Sequence, residues 1–207
     1  LAATGVLTAD PARAIEIRRA DRQSPNSLTE AERKRMLKEV AARKGIAAAR
    51  DLVMLEVFLS TGVRLSELVN LDIADVDLDG KRITIHAKGG HVETRFVNSD
   101  LRATLRKYLR RRADMPSHAS ALFLSNRNER ISTRQVQTRF EQWLAWAGIA
   151  RPGLTVHSLR HTFASRLYRK THDLVLVGKA MGHRTVEASR VYVHSSDEEL
   201  EEALESL

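Results

Sequence analysis

Between residues 76 and 97 the chain changes its hydrophobic period. Arg82-Ile83-Thr84-Ile85-His86-Ala87 alternates strictly between polar and apolar side chains, the period of a strand with one face buried. Val76-Asp77-Leu78 precedes it across an Asp79-Gly80 turn, and Val92 to Val97 follows it across Gly89-Gly90. Asp-Gly and Gly-Gly supply the positive φ that tight hairpins need, so this segment predicts a small three-stranded antiparallel sheet. The rest of the chain carries helical spacing. The expected fold is therefore mainly α, of the α+β class: a helical domain with one small antiparallel sheet.

Helix boundaries are marked by caps. Thr29 with Glu32 forms a capping box, and Gly45 is expected to close the helix it opens. A second helix is predicted from about Ala48 to Thr61, with Leu52, Leu55, Phe58 and Leu59 as its buried stripe and Gly62 as its stop. Further helices are expected near 100–112, 133–147 (Ser132 and Gln135 as capping box, Gly148 as stop), 157–170, 173–181 and 185–193. A last one begins at Ser196, where Ser196 and Glu199 make another capping box and Leu200, Ala203, Leu204 and Leu207 recur at helical spacing. Residues 1–26 are polar, contain Pro11 and Pro25, and read as a linker or the end of an absent domain; 27–195 read as one domain, with 196–207 as a separate helix.

Charge bears on the partner. There are 34 lysines and arginines against 26 acids, but six acids (Asp197, Glu198, Glu199, Glu201, Glu202 and Glu205) fall in the last eleven residues. The remainder carries 34 basic against 20 acidic residues, an excess of 14 that attracts polyanions such as nucleic acid. Aromatic residues make up 5%, too few for base stacking to be the main mode of binding. The absence of cysteine excludes disulfides, thiolate zinc sites and a cysteine nucleophile, and suggests a reducing compartment. No apolar run approaches the roughly 18 residues of a membrane span, and no leader is recognisable, so a cytoplasmic, nucleoid-associated location with no membrane partner is expected.

Four groups of residues carry candidate chemistry. In His157-Ser158-Leu159-Arg160-His161 the i, i+3 and i+4 positions share a helix face, so His157, Arg160 and His161 project together while Leu159, Phe163 and Leu167 can point to the core. Zinc is disfavoured there, because the glutamate of H-E-x-x-H is missing and no cysteine assists. Arg64 follows the Gly62 stop at the mouth of the next helix, with Glu67 one turn on; the carboxylate can hold the guanidinium toward an anion, although the same spacing also makes ordinary surface ion pairs. Lys88 sits beside Gly89 and Gly90, where a lysine can reach an oxygen without bulk in its way. His183 ends one short helix, and Tyr192 lies nine residues beyond it; a tyrosine at such a place is more often a core or interface residue.

Taken in order, TGVRLSELVNL, HAKGG, HSLRHTFASRL and MGHRTVEASRVYVH resemble the motifs of the tyrosine recombinases, the lambda-integrase and Xer-type family, over residues 27 to 207. The resemblance implies the catalytic domain of a site-specific recombinase that cleaves and rejoins duplex DNA without metal, nucleotide or other cofactor. It implies that Arg64, His157 and Arg160 clamp the scissile phosphate and that His183 adds a hydrogen bond. Lys88 would protonate the departing 5′ oxygen, and Tyr192 would attack to leave a 3′-phosphotyrosyl bond. Glu67 and His161 match the family's supporting residues. It also implies a tetramer on DNA in which the carboxy-terminal helix packs on a neighbouring subunit, and an amino-terminal core-binding domain of which residues 1–26 are a remnant. A type IB topoisomerase shares this chemistry but relaxes supercoils as a monomer, and a non-cleaving DNA-binding regulator could share the fold; strand exchange and a covalent adduct separate them.

Overall fold

In the computed structural model of the chain, the residues described are 26–87, 90–115 and 119–182. They form seven α-helices and one three-stranded antiparallel sheet, as the period of the sequence predicts. Among them no helix is long and apolar enough to cross a membrane. The expected helices at 185–193 and 196–207 and the segment 1–25 lie outside the described residues.

Helix α1 (Glu30–Ala41) opens with the Thr29–Glu32 capping box. The expected closure by Gly45 is corrected: α1 ends at Ala41, and Gly45, at φ 97°, is the N-cap of α2 (Ile46–Thr61). Two helices therefore meet within four residues, and the glycine serves the second start rather than the first stop. Helix α2 is the centre of the fold. It packs against α1, α4 (Ser99–Ala113) and α6 (Val156–Thr171), and ten of its sixteen residues are buried, so Val53, Met54 and Val57 are as enclosed as the predicted Leu55, Phe58 and Leu59. Leu52 is only partly buried. A one-sided stripe was too narrow a description because neighbours cover α2 on several sides.

Polar groups inside this core are paired. Asp51, with no exposed surface, accepts from Trp143 Nε1 at 3.1 Å, Arg139 Nε at 2.7 Å and Arg50 at 3.0 Å, tying α2 to α5 (Thr133–Trp146). Such a carboxylate is tolerated only because each lone pair meets a donor. At the other edge, the backbone N–H of Leu28 donates to Thr162 Oγ1 at 2.8 Å, which holds the approach to α1 against α6.

The sheet runs β1 (Val76–Asp77), β2 (Arg82–His86), β3 (Val92–Phe96), with Ile83 opposite Arg95 and Ile85 opposite Glu93. Its first turn departs from expectation in detail. Lys81, not Gly80, takes the positive φ (56°); the Gly80 N–H donates at 2.7 Å to the Asp77 carboxylate, which lies 2.2 Å from where a Cβ would stand. Helix α7 (Leu174–Met181) follows α6 and packs on it through a small second cluster of Ala164, Val177 and Met181, flanked by Phe163 and Leu167.

Candidate active site

Two helix ends and one helix start converge on the candidate residues. Gly62 stops α2 in the left-handed region (φ 63°), its N–H donating to Phe58 O, and a Cβ there would lie 2.4 Å from the Phe163 ring. The chain then turns into α3 (Leu65–Asn70), of which Arg64 is the N-cap. Glu67, at 6% exposure, accepts from the Arg64 backbone N–H at 2.7 Å and from its guanidinium at 2.6 Å, while the Arg64 side chain itself is 44% exposed. A buried carboxylate thus fixes an open guanidinium from behind, the arrangement that aims an arginine at an anion and not merely at its own partner.

Arg160, on the His157–His161 face, is buried, with 3% of its surface exposed. One terminal nitrogen donates to Met181 O at 2.7 Å, and the other donates to Gly62 O. These carbonyls are the unpaired acceptors that helix C-termini leave, so Arg160 satisfies two helix ends at once. The three residues of the predicted face do remain neighbours. The rings of His157 and His161 stand edge to face with centroids 4.7 Å apart, Leu159 is buried in the main core, and Phe163 and Leu167 turn to the second cluster.

His157 is the group that senses the others. Partial loss of hydration, then the positive charges of Arg160 and Arg64, hold its pKa below the ordinary histidine value; His161 is lowered by burial, His157 and Arg160. Both rings therefore favour the neutral form while no anion is present. His157 and Arg160 also line a cleft of about 250 Å³ with Phe58, Val63, Leu65, Gln137, Thr155 and Val156. Glu67 is the acid attached to this cation cluster, and it is turned toward Arg64. Among the described residues no group of three or more histidine, aspartate or glutamate side chains is arranged to hold a metal ion.

Lys88, His183 and Tyr192 lie outside the described residues. The two other tyrosines are both described. Tyr108 is buried, donates to Leu122 O at 2.9 Å, and has its pKa pushed up to about 12 by burial; Tyr168 is partly buried and meets the His172 ring at 5.9 Å. Glu93 and Arg95, which no motif singles out, reach the C-terminal end of α7, where they lie against Gly182.

Similar sequences and the same fold occur in known proteins. Residues 26–199 match the model of the phage integrase family. The tyrosine recombinase XerC of Azotobacter vinelandii is 36% identical over 187 residues, covering 89% of this chain and 61% of that protein. The crystal structure of the XerH site-specific recombinase bound to its difH substrate in a pre-cleavage complex superposes with a TM-score of 0.78 at 28% identity, covering 88% of this chain and 54% of that one. The XerA recombinase gives 0.74 at 30% identity, covering 87% and 64%. This chain thus spans less than two thirds of the length of the relatives it matches.

Proposed function

This chain belongs to the phage integrase family, and from that membership we propose that it is the strand-cleaving and rejoining part of a tyrosine site-specific recombinase acting on duplex DNA. The observation that carries the reading is that Arg160 donates to Gly62 O, two residues before Arg64, and lines an open cleft with His157, whose pKa both guanidinium charges help to lower. A phosphodiester is the anion that fits two guanidiniums and a neutral histidine. Its charge offsets the repulsion that, after burial, lowers the His157 pKa, so binding raises that pKa and favours the protonated ring, the stronger donor.

The chemistry follows from the charges. A phenol of pKa about 10 is a weak nucleophile at neutral pH and needs cations nearby as its oxygen attacks. Tyr192 Oη forms a bond to phosphorus and releases its phenolic proton to solvent as the bond from phosphorus to the 5′ oxygen breaks, and Lys88 donates the proton that the leaving oxygen takes up. His183 adds a hydrogen bond to the phosphate. Arg64, Arg160 and His157 stabilise the extra negative charge of the pentavalent state, with Glu67 and His161 in support. The energy of the phosphate ester is kept in the 3′-phosphotyrosyl bond, so a 5′ hydroxyl from another strand reverses the reaction without a nucleotide. Tyr108 cannot serve in place of Tyr192, since its hydroxyl is engaged in the core and harder to ionise.

Recombination between two duplexes requires four such sites, hence a tetramer on DNA. We assign the apolar stripe of residues 196–207 to packing on a neighbouring subunit, and residues 1–26 to the connection with a DNA-clamping domain. A location in the nucleoid accords with a DNA substrate.

The test is a nicked duplex whose cleavage releases a short fragment and traps the adduct. Wild type is expected to form a denaturant-resistant protein–DNA adduct, whereas Tyr192→Phe forms none and still binds the duplex, with an affinity that falls steeply with salt. An adduct of undiminished yield from Tyr192→Phe refutes the assignment.

A further inference from the structure

We propose that Glu93 and Arg95 position Arg160, by holding the Met181-Gly182 turn whose carbonyl accepts one of its hydrogen bonds. The proposal rests on the reading of Arg160 as a phosphate-stabilising residue. It begins with an inversion in β3. Residues directly opposite one another in an antiparallel pair share a face, and Ile83 and Ile85, both fully buried, stand opposite Arg95 and Glu93. The charged pair therefore points inward, while Val92 and Phe96 point out at 62% and 78% exposure. A shift of one residue would bury the apolar set instead, so the observed register keeps an ion pair inside where apolar side chains were at hand.

Burying that pair does not explain itself through stability, because well-packed apolar residues of similar volume are commonly as stabilising as a buried ion pair. Its contacts give a better reason. An Arg95 terminal nitrogen donates to Glu93 Oε2 at 2.5 Å, and the two side chains are 6% and 27% exposed. Both lie against Gly182: a methyl group there would stand 2.3 Å from Glu93 Oε2 and 2.7 Å from the Arg95 terminal nitrogen. Gly182 caps α7 in the left-handed region at φ 63°, and the carbonyl immediately before it, Met181 O, accepts from Arg160 at 2.7 Å. The pair thus forms a polar shelf between the sheet and the end of α7. With the shelf removed, that end can shift away from β3, and Arg160 loses one of the two carbonyls that orient its guanidinium. Glu93 and Arg95 are positioning residues that act on the reaction through Arg160.

The experiment follows adduct formation by wild type, Arg95→Met and the double variant Glu93→Leu/Arg95→Met on two nicked substrates. One carries the ordinary scissile phosphodiester. The other carries a scissile methylphosphonate, in which a methyl group replaces one non-bridging oxygen and removes the charge that Arg160 neutralises. Both variants are expected to cleave the phosphodiester roughly tenfold or more slowly than wild type at unchanged duplex affinity, as a small misplacement of a stabilising group predicts. On the methylphosphonate the gap should close to within roughly twofold, since the displaced charge is no longer needed. The double variant, whose apolar pair fills the space, should melt no lower than wild type, which separates slow cleavage from poor folding. Equal slowing on both substrates, or phosphodiester cleavage at the wild-type rate, overturns the proposal and leaves the reading of the site standing. Failure of wild type to form any adduct overturns that reading and the proposal with it.

Discussion

Arg160 donates to the carbonyl of Met181 at 2.7 Å from a position where only 3% of the residue is exposed. Its other terminal nitrogen donates to Gly62 O, two residues before Arg64. One guanidinium therefore splices the end of α2 to the end of α7, and the site's electrostatics and the fold's integrity depend on the same side chain.

Replacing it with lysine tests this double role. A single ammonium cannot satisfy two carbonyls in the planar geometry of a fork. Arg160→Lys is expected to lower stability by about 1–3 kcal/mol, the cost of leaving buried acceptors unmet, and to slow adduct formation by roughly 10²–10³-fold. Arg64→Lys, at the exposed partner position, should slow the reaction while leaving the urea midpoint nearly unchanged. Equal midpoints for the two variants would contradict the splice.

Glu67 holds Arg64 from the buried side. Glu67→Ala removes the acceptor of both the Arg64 backbone N–H and its guanidinium, and should cost about 1–2 kcal/mol in chemical denaturation, as loss of a helix cap does. Adduct formation should fall roughly tenfold or more as the guanidinium loses its orientation. Glu67→Gln keeps an acceptor oxygen and should recover most of the stability. A Glu67→Ala protein that cleaves at the wild-type rate would show that Arg64 needs no such support.

The depressed pKa values of His157 and His161 set a direction for pH. Their folded-state values lie below the ordinary 6.5, so between the two the unfolded chain binds more protons than the folded one, and stability rises with pH. Above about 6.5 both states carry neutral rings and the effect vanishes. The DNA-free protein should therefore lose melting temperature as pH falls below 6.5, and His157→Gln/His161→Gln should flatten that part of the curve. Bound duplex should flatten it too, because the phosphate offsets the repulsion from Arg64 and Arg160. A melting temperature that rises on acidification from 6.5 would reverse the assigned sign.

Features written within a few residues of one another were legible in the sequence alone. The Thr29–Glu32 and Ser132–Gln135 capping boxes formed as read, Gly62 stopped its helix, and the three strands paired in the expected order, because caps and hairpins depend on spacings of two to four residues. Arg64 and Glu67 met for the same reason. Where two local rules competed, reading failed: Gly45 fits a helix stop and a helix start equally well, and the short connection to α2 chose the start.

The burial of Arg160 and the inward turn of Glu93 and Arg95 left no trace in the order of residues. Each depends on groups far along the chain, Gly62 and Met181 in one case and Ile83, Ile85 and Gly182 in the other. Residue types at short intervals were enough to name the sheet and the helices among the described residues, and to list the cations proposed to face a phosphate. Which of those cations stands open and which is locked between helix ends, and which face of β3 is covered, came from packing, because burial and hydrogen-bond partners are properties of surfaces that meet only when the chain is folded.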